Sequence, residues 1–74
     1  MHVASLYQHT LREINQLLAD QSIYFEVTVN EFGTCFVSQV FVNSHKVCKH
    51  VGDPTSALYF LNGVKVGLCH QLSK

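Results

Sequence analysis

No stretch of this chain approaches the roughly 18 to 20 consecutive apolar residues that a bilayer-crossing helix needs, although 47% of its residues are hydrophobic. Its opening residues, MHVASLYQHTLREINQLL, also lack the basic leader of a secretory signal, and Gln8, His9, Arg12 and Glu13 interrupt any apolar run. Excess charge of either sign is missing as well. Five basic residues balance five acidic ones, which speaks against a protein built mainly to grip phosphate. Cysteine is sparse and odd in number. Cys35, Cys48 and Cys69 share no repeated spacing, which argues against a disulfide framework and for a reducing, cytoplasmic setting. The glycines Gly33, Gly52, Gly63 and Gly67 stand singly, so no phosphate-cradling loop is present. Repeats, low-complexity runs and linkers are also lacking, and residues 1–74 read as one compact domain.

What is there is periodic. Over residues 3–19, Val3, Leu6, Tyr7, Leu11, Ile14, Leu17 and Leu18 fall along one side of a helix, with Gln8, Arg12, Asn15 and Gln16 elsewhere. Asp20-Gln21-Ser22 breaks that pattern. The following IYFEVTVN changes period to two, with Ile23, Phe25, Val27 and Val29 opposite Tyr24, Glu26 and Thr28. Asn30 to Gly33 supply a turn, TCFVSQVFVN a second strand, Asn43-Ser44-His45 a short connection, and KVCKHV a third strand. Connections this short predict an antiparallel meander.

The segment SALYFLNGVKVGL, residues 56–68, admits two readings. Asn62-Gly63 between apolar runs is a hairpin signal, whereas Ala57, Leu61, Val64 and Leu68 recur at helical steps. Asp53-Pro54 favours the helix, because Asp is a good N-cap and Pro suits the first helical position. The predicted fold is therefore a two-layer α+β domain, a three-stranded antiparallel meander flanked by an N-terminal and a C-terminal helix on one face. The hairpin of ALYFL with VKVGL is the alternative.

Under that fold the second strand has no clean polar side. Phe36, Val40 and Val42 point one way; Cys35, Val37 and Phe41 point the other. Whichever phase meets the helices, apolar side chains remain outside, beside Tyr24, unless a β-bulge in the second strand re-aims them. A chain this short has a thin core, and hiding such a patch against another chain adds to its stability. The expected function is a non-catalytic protein-interaction module, of inhibitor, adaptor or regulator type, whose partner is another protein or a second copy of itself. The expected contact residues are Tyr24, Phe36 and Phe41 with Lys46, Lys49 and His50 on the edge around the third strand.

Other chemistry reads more weakly. Cys48 and His50, two apart in a strand, would share a face, but their spacing to Cys69-His70 matches no zinc pattern, so no metal or cofactor is expected. No carboxylate or oxyanion donor is legible around a Cys48–His50 pair, so no catalytic residues are expected. Residues 1–40 carry a net charge of minus three and residues 41–74 plus three, an asymmetry suited to steering a partner. The basic second half makes a nucleic-acid-binding accessory protein the alternative function. The element order is similar to that of double-stranded-RNA-binding domains, yet where those carry a lysine-rich start to the final helix this chain has Asp53-Pro54-Thr55-Ser56-Ala57. The likeness is one of element order alone.

Overall fold

The computed structural model describes residues 5–72. Helix α1 (Ser5–Leu17) leads through a short 3₁₀ turn (Ala19–Gln21) into strands β1 (Ile23–Val29), β2 (Cys35–Phe41) and β3 (Lys46–Gly52), and helix α2 (Pro54–Leu72) closes the chain. The strands form one antiparallel sheet in the order β1-β2-β3, with both helices on one of its faces. This is the α-β-β-β-α arrangement that the periodicity predicts.

The core follows from the helical stripe. Tyr7, Ile14 and Leu18 are buried and Leu11 is half-buried, at steps of four, three and four. Leu6, expected on the stripe, sits at its margin and is 43% exposed; Val3 lies outside the described residues. The α-helix also stops two residues short of the predicted end, at Leu17, where the 3₁₀ turn finishes on Ser22 in the left-handed region (φ 58°). On α2, Ala57 and Leu61 are fully buried against Ile14, and on the sheet Phe25, Cys35 and Val37 complete the cluster.

The segment with two readings is helical throughout. Asp53 starts it: its carboxylate accepts the Ser56 amide at 2.8 Å, and its carbonyl accepts the Ala57 amide at 3.0 Å. Asn62 does not turn the chain; its Oδ1 instead accepts the Thr10 hydroxyl of α1 at 3.4 Å. Gly63 and Gly67 each cost roughly 1 kcal/mol relative to Ala in a helix interior. Burial of Ala57 and Leu61, the cap, and the Lys65–Glu13 ion pair to α1 at 2.9 Å offset that cost. A hairpin would forfeit all three.

Both hairpin connections use one geometry. Gly33 donates to Asn30 O and Ser44 donates to Phe41 O, while the amides of Asn30 and Phe41 bond the carbonyls of Thr34 and His45. Each loop thus has three residues, the last in the left-handed region: Gly33 at φ 80° and Ser44 at φ 66°. Asn30 and Asn43 brace them: Asn30 Oδ1 accepts the amides of Phe32 and Thr34, and Asn43 Oδ1 accepts that of His45.

Each edge of the sheet is guarded differently. At β1, Asn15 of α1 acts as a surrogate strand, its Oδ1 accepting the Phe25 amide at 2.8 Å and its Nδ2 donating to the Phe25 carbonyl at 3.0 Å. At β3 the register slips between Val37 and Ser38, which face His50 and Cys48, so Lys49 is an extra residue. A bulge carrying an exposed lysine is a deterrent to edge pairing. The bulge sits in the third strand, where the sequence reading allowed for one in the second.

Candidate protein-interaction face

Register assigns every strand residue to a face. On the helix side the rows are Phe25–Gln39–Val47, Val27–Val37–His50 and Val29–Cys35–Gly52. On the far side they are Tyr24–Val40–Lys46, Glu26–Ser38–Cys48 and Thr28–Phe36–Val51. No described element packs on this second face. Tyr24 is 48% and Val51 52% exposed there, with Phe36 half-buried between Thr28 and Val51.

Val40 belongs to the far side yet is only 3% exposed. The register explains this. Tyr24 and Lys46 flank Val40 across the strands, and Lys46 Nζ reaches diagonally over β2 to Glu26 Oε1 at 2.6 Å. The lysine stem is thereby laid over the valine, an apolar use of a charged side chain. Hydrogen bonding to Glu26, then its charge, holds the Lys46 ammonium above the usual lysine value, with Tyr24 adding to the shift. The face is thus two apolar ends, Tyr24/Val40 and Phe36/Val51, around a polar middle row.

The six residues expected to make contact divide. Tyr24, Phe36 and Lys46 share the uncovered face, and Lys49 is the exposed bulge residue beside it. Phe41 and His50 are placed on the helix side. Phe41 pairs with Ile23 and lies 6.1 Å from the His45 ring. His50 Nε2 is 3.1 Å from Ser56 Oγ, and its ring stacks on Phe60 at 5.1 Å. Because the Ser56 hydroxyl donates to the Asp53 carbonyl, the imidazole donates to that hydroxyl and serves to latch α2 onto β3. Gly52 permits this contact, since a Cβ there would run into Ser56 Oγ.

The bulge also corrects the pairing of Cys48 with His50. In a regular strand they would share a side; with Lys49 inserted, Cys48 opposes Ser38 on the far face and His50 opposes Val37 beneath the helices. Among the described residues no group of three or more His, Cys, Asp or Glu side chains is placed to hold a metal. The same insertion turns Val51 outward. Failed alternation in KVCKHV is the only trace of it in the sequence.

Charge is redistributed by folding as well. Lys65 pairs with Glu13 and Lys46 with Glu26, so each contact joins the basic half of the chain to the acidic half. The Lys65 hydrogen bond holds the Glu13 carboxyl below the usual carboxylate value. The asymmetry seen along the sequence is consumed largely inside the molecule. No helix among the described residues is long and apolar enough to cross a membrane. No known family model, curated protein or solved structure matches the chain.

Proposed function

We propose that the chain is a non-catalytic protein-interaction module that docks another protein on the uncovered face of its sheet. The observation that carries this reading is the exposure of Tyr24 and Val51 with Phe36 on a side that no described element packs against. Two exposed apolar ends, each carrying an aromatic side chain, with the Lys46–Glu26 pair between them, offer the mix of aromatic anchors and polar groups that protein interfaces use. A fitting partner presents one or two apolar side chains to Phe36 and Tyr24, with polar groups over Glu26, Ser38 and Lys46. The alternative, phosphate binding by the second half, is weakened by the two intramolecular ion pairs, which occupy Lys46 and Lys65.

The test is affinity capture from the native host, read by mass spectrometry for proteins and nucleic acid together. A protein should be retained by the parent chain and lost with Tyr24→Ser/Phe36→Ser, while Lys49→Glu leaves it bound. Retention of nucleic acid that Lys49→Glu abolishes, with no protein dependent on Phe36, would instead establish the phosphate-binding alternative.

A further inference from the structure

Gln39 is out of place on the helix side of β2. Cys35 and Val37, which precede it on that side, are both fully buried. Alternation calls for another apolar residue at the next inward position. Gln39 instead brings a half-buried carboxamide between Phe25 and Val47. That carboxamide hydrogen-bonds to no described residue, so nothing within the chain accounts for it.

Gly63 and Gly67 raise the same question. Neither has a positive φ, and a Cβ at either would meet nothing within 4 Å. Each weakens a helix interior relative to alanine, with no turn or close approach inside the chain to require it. Glycine also serves where a ligand must approach the backbone closely. All three residues border one groove, between the second half of α2 and the sheet. Its volume is about 300 Å³, and a hollow of about 290 Å³ continues it toward Ile23. Phe25, Val64 and Leu68 supply apolar walls. Every residue lining either space is apolar, glycine or glutamine. Other surface grooves differ: one holds Glu13 with Lys65, another Arg12.

We propose that this groove binds a small uncharged molecule that joins a flat apolar ring to a carboxamide-like group. The lining decides the charge. A carboxylate, phosphate or ammonium would be desolvated there with no counter-ion beside it, a cost that apolar contact does not offset. Gln39 decides the polar end. A carboxamide presents donor and acceptor side by side, so a second amide pairs with it through two hydrogen bonds. The glycines decide the shape. Lying four residues apart, they leave about 6 Å of bare helical backbone along which a planar ring can lie. The size agrees. An apolar cavity of about 150 Å³ holds benzene, so a groove of about 300 Å³ admits a ring with a short polar substituent. The groove lies on the helix side of the sheet, opposite the uncovered face, so failure of either proposal leaves the other standing.

Benzamide and benzoate, alike in shape and different in charge, test this in an NMR titration of the isotope-labelled full chain. Up to about 20 mM, benzamide should give saturable shifts at the Gly63 and Gly67 amides and the Gln39 side-chain amide. The Kd should be millimolar, as suits about nine non-hydrogen atoms. Benzoate should bind about 10-fold or more weakly. Gln39→Met keeps the side-chain length without the amide and should weaken benzamide about 10-fold. Gly67→Leu fills the groove and should abolish the saturable shifts while the helical circular dichroism is kept. Absence of saturable shifts in the parent chain overturns the proposal. So does benzoate binding as tightly as benzamide, or benzamide binding that Gln39→Met and Gly67→Leu leave unchanged. A protein partner whose capture is lost with Gly67→Leu overturns it as well, by making the groove a protein contact.

Discussion

Ser44 carries a backbone conformation that its side chain opposes. It occupies, at φ 66°, the loop position that Gly33 fills in the preceding hairpin, and a non-glycine residue there is disfavoured by roughly 1 kcal/mol. Ser44→Gly should therefore stabilise the fold by about 0.5–1 kcal/mol, seen as a higher urea midpoint with an unchanged slope. Titration gives a second residue-scale outcome. Burial, then the neighbouring Cys35, raises the Tyr7 phenol above its usual value, and Lys46 is raised by Glu26. Groups raised by folding stabilise fully below their unfolded values and cease to do so as pH climbs through their folded ones. Glu13 is lowered, so its contribution is present above the unfolded value and disappears as pH falls through the folded one. Urea midpoints should accordingly decline above about pH 10 and below about pH 4. Tyr7→Phe should flatten the alkaline limb, and Glu13→Gln the acid one.

Elements were legible where two independent signals agreed. The period of α1 and the Asp53-Pro54 start of α2 each named a helix, and the start outweighed Asn62-Gly63 because the cap bonds it promised are made. Asp53→Ala should cost about 1 kcal/mol, measured by thermal unfolding, with the loss appearing as fraying of the first turn of α2. What escaped the sequence was tertiary. Failed alternation in KVCKHV hints at an irregularity but does not single out Lys49 as the inserted residue, since a bulge is decided by how β3 must bend beside β2 and beneath α2, and it sorted Cys48, His50 and Val51 to faces that strict alternation would not assign. Asn15 was equally silent. On a helical wheel it is one more polar residue, whereas in the fold it closes the β1 edge with two hydrogen bonds. Asn15→Leu leaves the amide and carbonyl of Phe25 without those partners, and should cost about 1–3 kcal/mol and raise thioflavin-positive aggregation on prolonged incubation.

For the molecule as a whole, segregation of both helices to one side of the sheet is the organising fact. Because Tyr24 and Phe36 lie on the other side, outside the buried cluster, Tyr24→Ser should alter the unfolding free energy, measured by urea titration, by less than about 1 kcal/mol while removing partner capture. A core substitution such as Leu61→Ala should cost about 2–5 kcal/mol, and any loss of capture with it would follow the fraction unfolded. The sidedness has a further effect. A sheet is one layer of backbone thick, and on β2 Gln39 looks toward the helices while its neighbours Ser38 and Val40 look away from them. A strand displaced from beneath is displaced above as well. Reciprocity then requires that whatever factor an occupant on one side imposes on affinity at the other be returned unchanged.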